Sequence, residues 1–235
     1  MRRAVAFLTV LGRFSAPNGS TVAWFPLAGV LIGLAVGGAW WAADSIWPPV
    51  VVGAVAVTAD LAITGMLHLD GLVDSADGLL PHLTPDRRLE VMAEPTVGAF
   101  GIGAAVAILL LRFAGFATLR PDLLLIAGLW CLARAVMAVA VRAVPYGRPA
   151  GGLARSFRGE GSWILPAASG LALGYGLLAV GDGVRGIAAG LGATATGAAV
   201  LALGVRRLGG YTGDVLGAAG VVAETVGLLV ASARW

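Results

Sequence analysis

Long apolar stretches broken by short polar interruptions run through the whole chain. A helix needs about 20 mostly apolar residues to cross the hydrocarbon of a bilayer. That ruler marks seven stretches, 22–47, 49–67, 98–119, 122–146, 162–181, 184–204 and 214–233. The first and fourth are long enough to include interfacial ends. The pattern predicts an all-α, polytopic integral membrane helix bundle of about seven transmembrane helices, or six if the Gly-rich fifth or sixth stretch is re-entrant. The first seventeen residues carry only a short apolar run behind Arg2 and Arg3, so they read as an interfacial N-terminal helix. They imitate a secretory leader, but Arg13 and Phe14 spoil the small-residue cleavage site, and the segment reads as mature protein. Residues 1–235 form a single membrane-embedded domain on this reading.

Composition strengthens the membrane assignment. Of 235 residues, 58% are hydrophobic and 12% charged, against roughly 45–50% and 25% in soluble domains. Mean hydropathy is +0.89. A chain this apolar is neither a water-soluble globule nor a disordered segment, which needs low hydrophobicity and high net charge. All sixteen basic side chains are arginine and the net charge is +3, too small and dispersed for the basic face of a nucleic-acid binder. The lone Cys131 rules out an intramolecular disulfide. Thirty-six glycines suit helices that approach closely in lipid.

The arginines also orient the bundle. Arg2, Arg3, Arg13, Arg87, Arg88, Arg148, Arg155, Arg158, Arg206 and Arg207 fall on one side, and Arg120, Arg185 and Arg234 on the other. Arg112, Arg134 and Arg142 lie within spans. This asymmetry puts the N-terminus in the cytoplasm and, with seven spans, the C-terminus at Trp235 outside. The polar connections near 68–97, 147–161 and 205–213 are then all cytoplasmic and carry the active-site loops.

Only thirteen acidic residues exist, and Asp70, Asp74 and Asp77 stand at i, i+4 and i+7 in His68-Leu69-Asp70-Gly71-Leu72-Val73-Asp74-Ser75-Ala76-Asp77-Gly78. That spacing sets three carboxylates on one helical face. Like charges repel there, and a hard divalent cation such as Mg²⁺ relieves the conflict while also binding phosphate. Glu90 and Glu94 repeat the i, i+4 spacing, although Arg87 and Arg88 are ready surface partners. Gly98 and Gly101 open the third span, where free N–H groups can meet phosphate. Gly209-Gly210-Tyr211-Thr212-Gly213-Asp214 precedes the last span: its glycines allow close approach, Thr212 offers a hydroxyl, and Asp214 is either an N-cap or a metal ligand. Arg148, between Tyr146 and Pro149 in a loop with Arg155, Arg158 and Glu160, is the preferred phosphate ligand. Glu224 lies deep in an apolar span, where a carboxylate needs a partner or a cavity. Arg112, Arg134 and Arg142 are its candidate partners, a site role is preferred, and Asp60 raises the same question. Carboxylates for metal, arginines for anionic oxygen and glycines for close approach together suit metal-assisted phosphoryl transfer.

The stretches HLDGLVDSADG, MAEPTVGAFG and GGYTGDVLGA with Glu224 resemble the cobalamin synthase family, also called adenosylcobinamide-GDP ribazoletransferases. FLTVLGRF and FPLAGVLIG near the start and Arg134 followed by PYGRPAGGL add to a likeness that covers nearly the whole chain in order. The family usually has Asp where this chain has Glu94, a basic residue at Thr96, a shorter arginine loop, and Arg-Leu-Pro in place of Val10, Leu11 and Gly12. The resemblance implies a Mg²⁺-dependent transferase of the prokaryotic inner membrane with its active site facing the cytoplasm. Its substrates would be adenosylcobinamide-GDP and α-ribazole or α-ribazole 5′-phosphate, and its products adenosylcobalamin or its 5′-phosphate, and GMP. Asp70, Asp74, Asp77 and Glu94 would hold Mg²⁺. His68, Asp74, Asp77 and Asp214 would be catalytic, with His68 or a metal-free carboxylate taking the hydroxyl proton. Arg134, Arg148, Gly98, Gly101, Gly210, Thr212, Gly213 and Glu224 would bind substrate.

Two rival readings exist. A CDP-alcohol phosphotransferase also opens with Asp-x-x-Asp-Gly, as in Asp74 to Gly78, but Pro81 and His82 stand where Ala-Arg should follow. A small transporter would place its site near the midplane, where only Asp60 and Glu224 speak for it.

Overall fold

The structure is a computed structural model that describes residues 1–12, 17–148, 151–157 and 164–234. Arg13, Phe14, Pro149, Arg158, Glu160 and Trp235 lie outside the described residues. The described chain is all-α: α1 (Arg2–Leu8), α2 (Phe25–Asp44), α3 (Pro49–Thr64), α4 (Leu67–Leu79), α5 (Pro85–Val91), α6 (Ala99–Thr118), α7 (Leu123–Ala143), α8 (Ile164–Leu208) and α9 (Gly213–Ala231), with short 3₁₀ turns at Val22–Trp24 and Leu153–Phe157.

Local sequence sets the ends of these helices. Proline occupies the first turn of α2, α3 and α5, where its missing N–H costs nothing. Asp122 caps α7, its Oδ1 accepting from the N–H groups of Leu124 and Leu125 at 2.8 and 3.0 Å. Thr212 caps α9 through Val215 N–H at 3.2 Å. Gly65 ends α3 in the left-handed region, Met66 follows with φ 60°, and the chain bends by 90° into α4.

Helix α7 is the centre. Every residue from Leu125 to Ala135 is buried, the mark of a helix enclosed on all sides. Helix α2 lies antiparallel to it, and a β-carbon on Gly33 would come within 2.7 Å of the Ala127 Cα. That approach is the close packing for which the glycine content of the chain is suited.

The N-terminal helix is shorter than expected. It ends at Leu8, with Ala4 and Leu8 buried against the bundle. Among the described residues five helices are long and apolar enough to cross a membrane, and six if the bent pair α3–α4 counts as one span, where about seven were expected. Helix α3 has sixteen residues, about 24 Å at 1.5 Å per residue, just under the roughly 17–25 residues of a spanning helix. Residues 164–208 form two helical arms that part at Asp182 and Gly183, whose backbone angles are non-helical. Tyr175 and Thr194 share a hydrogen bond of 2.9 Å between their hydroxyls, which a straight helix would hold nearly 30 Å apart, about nineteen rises of 1.5 Å. A β-carbon on Gly186 would collide with the Leu178 carbonyl. The chain turns back on itself at Asp182–Gly183. Alternating directions then bring α1, residues 65–98, residues 144–148 and 151–157, and residues 209–212 to one end of the bundle.

Candidate active site

At that end a cleft of about 330 Å³ opens between α1, α2, α4, α7 and α9. Its walls combine Phe7, Phe25, Phe157 and Met137 with His68, Asp70, Tyr146, Arg148 and Asp214. Helices α4 and α9 cross closely because neither has a side chain at the contact. A β-carbon on Gly71 would stand 2.8 Å from the Asp214 carbonyl oxygen, and one on Gly217 only 3.3 Å from the His68 Cα. The two glycines therefore bring Asp70 and Asp214, from separate helices, onto one cleft.

The arginine loop and the Gly-rich turn are joined by backbone pairing. Gly147 N–H donates to the Tyr211 carbonyl at 2.8 Å, and Tyr211 N–H to the Pro145 carbonyl at 2.9 Å. The Tyr146 and Tyr211 rings meet edge to face at 5.3 Å. A side chain at Gly210 would collide with the Pro145 carbonyl, so this glycine, expected among the substrate-binding residues, lets the two loops pair. The pairing delivers Arg148 to Asp214, with Nη2 donating to Oδ2 at 3.2 Å. The same Oδ2 accepts from the Thr212 hydroxyl at 3.2 Å. Thr212 is buried and spends its oxygen on capping, while Gly213 opens onto the cleft.

The three aspartates of α4 have three different surroundings. Asp70 is exposed, Asp74 is half-buried and Asp77 is buried. Asp77 accepts from Gly98 N–H through Oδ2 at 2.7 Å and from Gly101 N–H through Oδ1 at 2.8 Å. It caps α6 from a neighbouring helix. Gly98 and Gly101 were expected to meet phosphate; in the structure their N–H groups hold a carboxylate, and a β-carbon on Gly101 would collide with it. Asp74 carries the electrostatic load. Burial, then the charges of Asp214 and Asp70, push its carboxyl up to about 7, with Arg148 opposing. Asp70, Asp74 and Asp214 with Arg148 thus form the acidic cluster. Among the described residues no three acidic, His or Cys side chains converge as a ready metal cage.

Glu94 does not join them. It pairs with Arg87 at 3.0 Å with 43% of its side chain exposed, and Arg87 also holds Glu90 at 3.0 Å. Arg88 turns inward and donates to the carbonyls of Gly78 and Leu79 at 2.7 and 2.8 Å, closing the end of α4. No spacing rule announced that role.

Glu224 and Arg134 are displaced from the expected site. Glu224 is 2% exposed and is bracketed by two guanidinium groups, Arg112 at 3.0 Å and Arg134. Arg112 also binds Asp60 at 2.7 Å and lies over the Trp130 ring at 5.0 Å, while Trp130 Nε1 donates to Asp60 at 3.0 Å. Neither Glu224 nor Arg134 lines the cleft. They form a closed, charge-balanced network behind it, as a buried carboxylate requires.

Arg134 reaches the cleft only through His68, its Nη2 lying 3.4 Å from Nδ1. A guanidinium has donors alone, so Nδ1 accepts. The structure places His68, expected from sequence as a proton acceptor, buried with Nδ1 facing that guanidinium. The residues that sequence missed are the phenylalanines, Met137 and Arg88, which become visible only when distant segments meet.

The model of the cobalamin-5-phosphate synthase family matches residues 1–232. The adenosylcobinamide-GDP ribazoletransferases of Brucella ovis, Brucella canis and Brucella suis are each 38% identical to this chain, over 88% of it and 84% of their own length. No solved structure gives a significant match.

Proposed function

The chain belongs to the cobalamin-5-phosphate synthase family, and from that premise we propose how its cleft works. The activity is that of an adenosylcobinamide-GDP ribazoletransferase in nucleotide-loop assembly of cobalamin, carried out in a prokaryotic inner membrane. The substrates are adenosylcobinamide-GDP and α-ribazole or its 5′-phosphate. A ribose hydroxyl of the ribazole attacks the cobinamide-bound phosphorus. The new O–P bond replaces the P–O bond to GMP, GMP departs with that electron pair, and the hydroxyl proton passes to a carboxylate.

The acidic cluster beside Arg148 carries this reading. Its donors are carboxylates only, crowded enough to push Asp74 up to about 7, which is the chemistry a hard divalent cation suits. Asp70, Asp74 and Asp214 would hold Mg²⁺. When bound it neutralises charge on the diphosphate and the leaving GMP. Arg148 has its Nη2 on Asp214 and orients the remaining phosphate oxygens through its other donors. A carboxylate oxygen of the cluster, not His68, receives the proton. Asp77 holds α4 against α6 and keeps Asp74 in place. The transporter reading loses its support, because the deep acids Asp60 and Glu224 are neutralised by Arg112 and Arg134.

Seven crossings fit the chain best, with α3, α6, α7 and α9 crossing once, α2 once, and the two arms of α8 once each. The turn at Asp182–Gly183 supports this count, as does the gathering of arginine-rich connections at one end. That end, with residues 68–97, 147–148, 151–157 and 205–213, is then cytoplasmic. Cysteine labelling of intact cells checks it: a cysteine in place of Ser75 or Ser156 stays unlabelled from outside, and labelling there overturns the orientation.

The activity is tested with purified protein in lipid discs given adenosylcobinamide-GDP and α-ribazole. GMP appears in proportion to the cobalamin formed, and chelation of Mg²⁺ stops it. Absence of GMP with both substrates present overturns the proposal.

A further inference from the structure

Among the described residues a single hydroxyl side chain lines the cleft, that of Tyr146. Tyr146 stands two residues before Arg148 on the segment that pairs with Tyr211, and both share the cleft with Asp70 and Asp214. Its side chain is half-buried, and its ring meets Tyr211 edge to face at 5.3 Å. Tyr211 is fully buried, so the Tyr146 ring has a fixed wall behind it. A phenylalanine would pack on that wall equally well, and the cleft already uses phenylalanine at three other positions. The oxygen is what sets this position apart. Gly152 makes room for it: a β-carbon there would collide with the Tyr146 hydroxyl oxygen, whereas the ring carbon that carries the oxygen stays at 3.7 Å, an ordinary contact. The hydroxyl has no hydrogen-bond partner among the described residues. The phenol also stays protonated: burial, the largest influence, and the charge of Asp214 raise it, with Arg148 and Arg155 opposing. The cleft therefore presents a neutral donor, proton in place, beside its acidic cluster.

We propose that Tyr146 is a further catalytic residue, its hydroxyl donating a hydrogen bond to a non-bridging oxygen of the diphosphate bound beside Arg148. The inference rests on the ribazole-transfer reading and adds to it a residue and a role. Phosphate oxygens need donors, and ionised carboxylates have none to give. Arg148 already spends Nη2 on Asp214, which leaves the Tyr146 hydroxyl as the uncommitted donor next to it. A neutral donor also suits the place. A second cationic side chain would pair with the acids as Arg148 does, whereas a phenol contributes a hydrogen bond and leaves the cluster its surplus negative charge. The attacking ribose hydroxyl is the poorer match, because it has to lose a proton and a phenol held protonated does not take one. As GMP leaves, charge grows on the phosphate oxygens, so the contact strengthens in the transition state and acts on the rate as well as on binding.

The test is Tyr146→Phe in the full chain in lipid discs with Mg²⁺ present, a change that keeps the ring on Tyr211 and removes only the oxygen. Pyrophosphate serves as the probe for the diphosphate, its binding measured by calorimetry beside that of α-ribazole. Tyr146→Phe is expected to bind pyrophosphate about tenfold more weakly or worse, the scale of one hydrogen bond to a charged group. Its affinity for α-ribazole and its melting temperature stay those of the unaltered protein. In GMP release kcat falls by a similar factor or more, while KM for α-ribazole holds. Tyr211→Phe is the control, because it removes a buried hydroxyl that does not line the cleft, and its pyrophosphate affinity is expected to be unchanged. Equal pyrophosphate affinity in Tyr146→Phe, a loss of α-ribazole affinity instead, or an equal pyrophosphate loss in Tyr211→Phe overturns the contact. So does a fall in melting temperature that accounts for the lost turnover. GMP release by Tyr146→Phe at the unaltered rate removes Tyr146 from the reaction and leaves the activity standing. Pyrophosphate affinity that depends on the hydroxyl, in protein that releases no GMP, does the reverse.

Discussion

Helix α9 carries two acids ten residues apart, and their surroundings differ in every respect that matters. Glu224 belongs to a cluster of two carboxylates and two guanidinium groups, all buried, with Trp130 completing the shell of Asp60 and Arg112. Asp214 belongs to a cluster of three carboxylates and one guanidinium group, partly open to solvent. The first balances its own charge and needs nothing from outside. The second carries surplus negative charge, which raises the proton affinity of Asp74. An imbalance held at a cleft is what a cation and a substrate phosphate can use, whereas balance behind the cleft fixes helices and orients His68. Burial of a charge alone thus does not separate structure from function, but the local sum of charges does.

The strongest way to break this comparison is to remove one carboxylate from each cluster and read activity and stability separately. Asp74→Ala should lower turnover by about 10³-fold or more, the scale of losing one charge-stabilising group at a reacting phosphate. Because it relieves like-charge repulsion, its melting temperature should be equal to or above that of the unaltered protein. Near-normal turnover at ordinary Mg²⁺ would place the metal elsewhere.

Glu224→Gln should show the opposite pattern. It leaves Arg134 buried without its counter-charge, at a cost of about 3–5 kcal/mol. Arg134→Met in the same chain should recover part of that loss, and turnover should follow the folded fraction. A thermal melt in detergent beside an activity assay on the single and double variants decides. Unchanged stability with lost turnover in Glu224→Gln would move this carboxylate back into the active site.

A smaller effect sharpens the open cluster. The Asp74 carboxyl lies at about 7 in the folded chain, above the roughly 3.9 of an unfolded aspartate. The folded state therefore binds more protons between those values. Its contribution to stability is complete below about pH 4 and is lost as pH rises through about 7. Without Mg²⁺ the protein should melt at higher temperature near pH 5.5 than near pH 8, by a margin reduced because the side chain is partly solvated. Asp74→Asn should flatten the slope, and Mg²⁺ at the higher pH should offset it. A slope that persists in Asp74→Asn assigns the titration to another group.

These contrasts also explain what was legible in the sequence. The apolar runs locate α2, α6, α7 and α9 because a span must bury every backbone group and needs length to do it. The i, i+4, i+7 aspartates are correctly placed on one helix, since that periodicity is local. Their division of labour is not local. Asp77 caps α6 only because α4 packs on the start of α6, and nothing in HLDGLVDSADG states that contact. Glu224 announces by its depth that it needs a partner, but the choice of both Arg112 and Arg134 depends on how three helices pack. The chamber of Phe7, Phe25 and Phe157 joins segments up to 150 residues apart, so no window of sequence contains it. The turn at Asp182–Gly183 falls where the apolar stretches 162–181 and 184–204 part.

The smallest expected effect concerns a third acidic position. Glu94 was expected among the metal ligands from the family resemblance. In the structure its carboxylate is 43% exposed and reaches Arg87, itself half exposed, at 3.0 Å. Such a pair sits in high dielectric and contributes little, because Coulomb energy gained there is offset by side-chain entropy and screening. Arg87 keeps Glu90 as a second partner at 3.0 Å, so losing Glu94 strands no charge. Glu94→Gln should therefore leave the melting temperature, turnover and Mg²⁺ requirement close to those of the unaltered protein. The measurement is a Mg²⁺ titration of initial GMP-release rates for Glu94→Gln beside Asp70→Asn. A large rise in the Mg²⁺ needed by Asp70→Asn alone keeps the open cluster on α4 and α9. The same rise in Glu94→Gln would mean that residues 85–97 close over the cleft during turnover, and the open cluster would gain a fourth carboxylate from the surface.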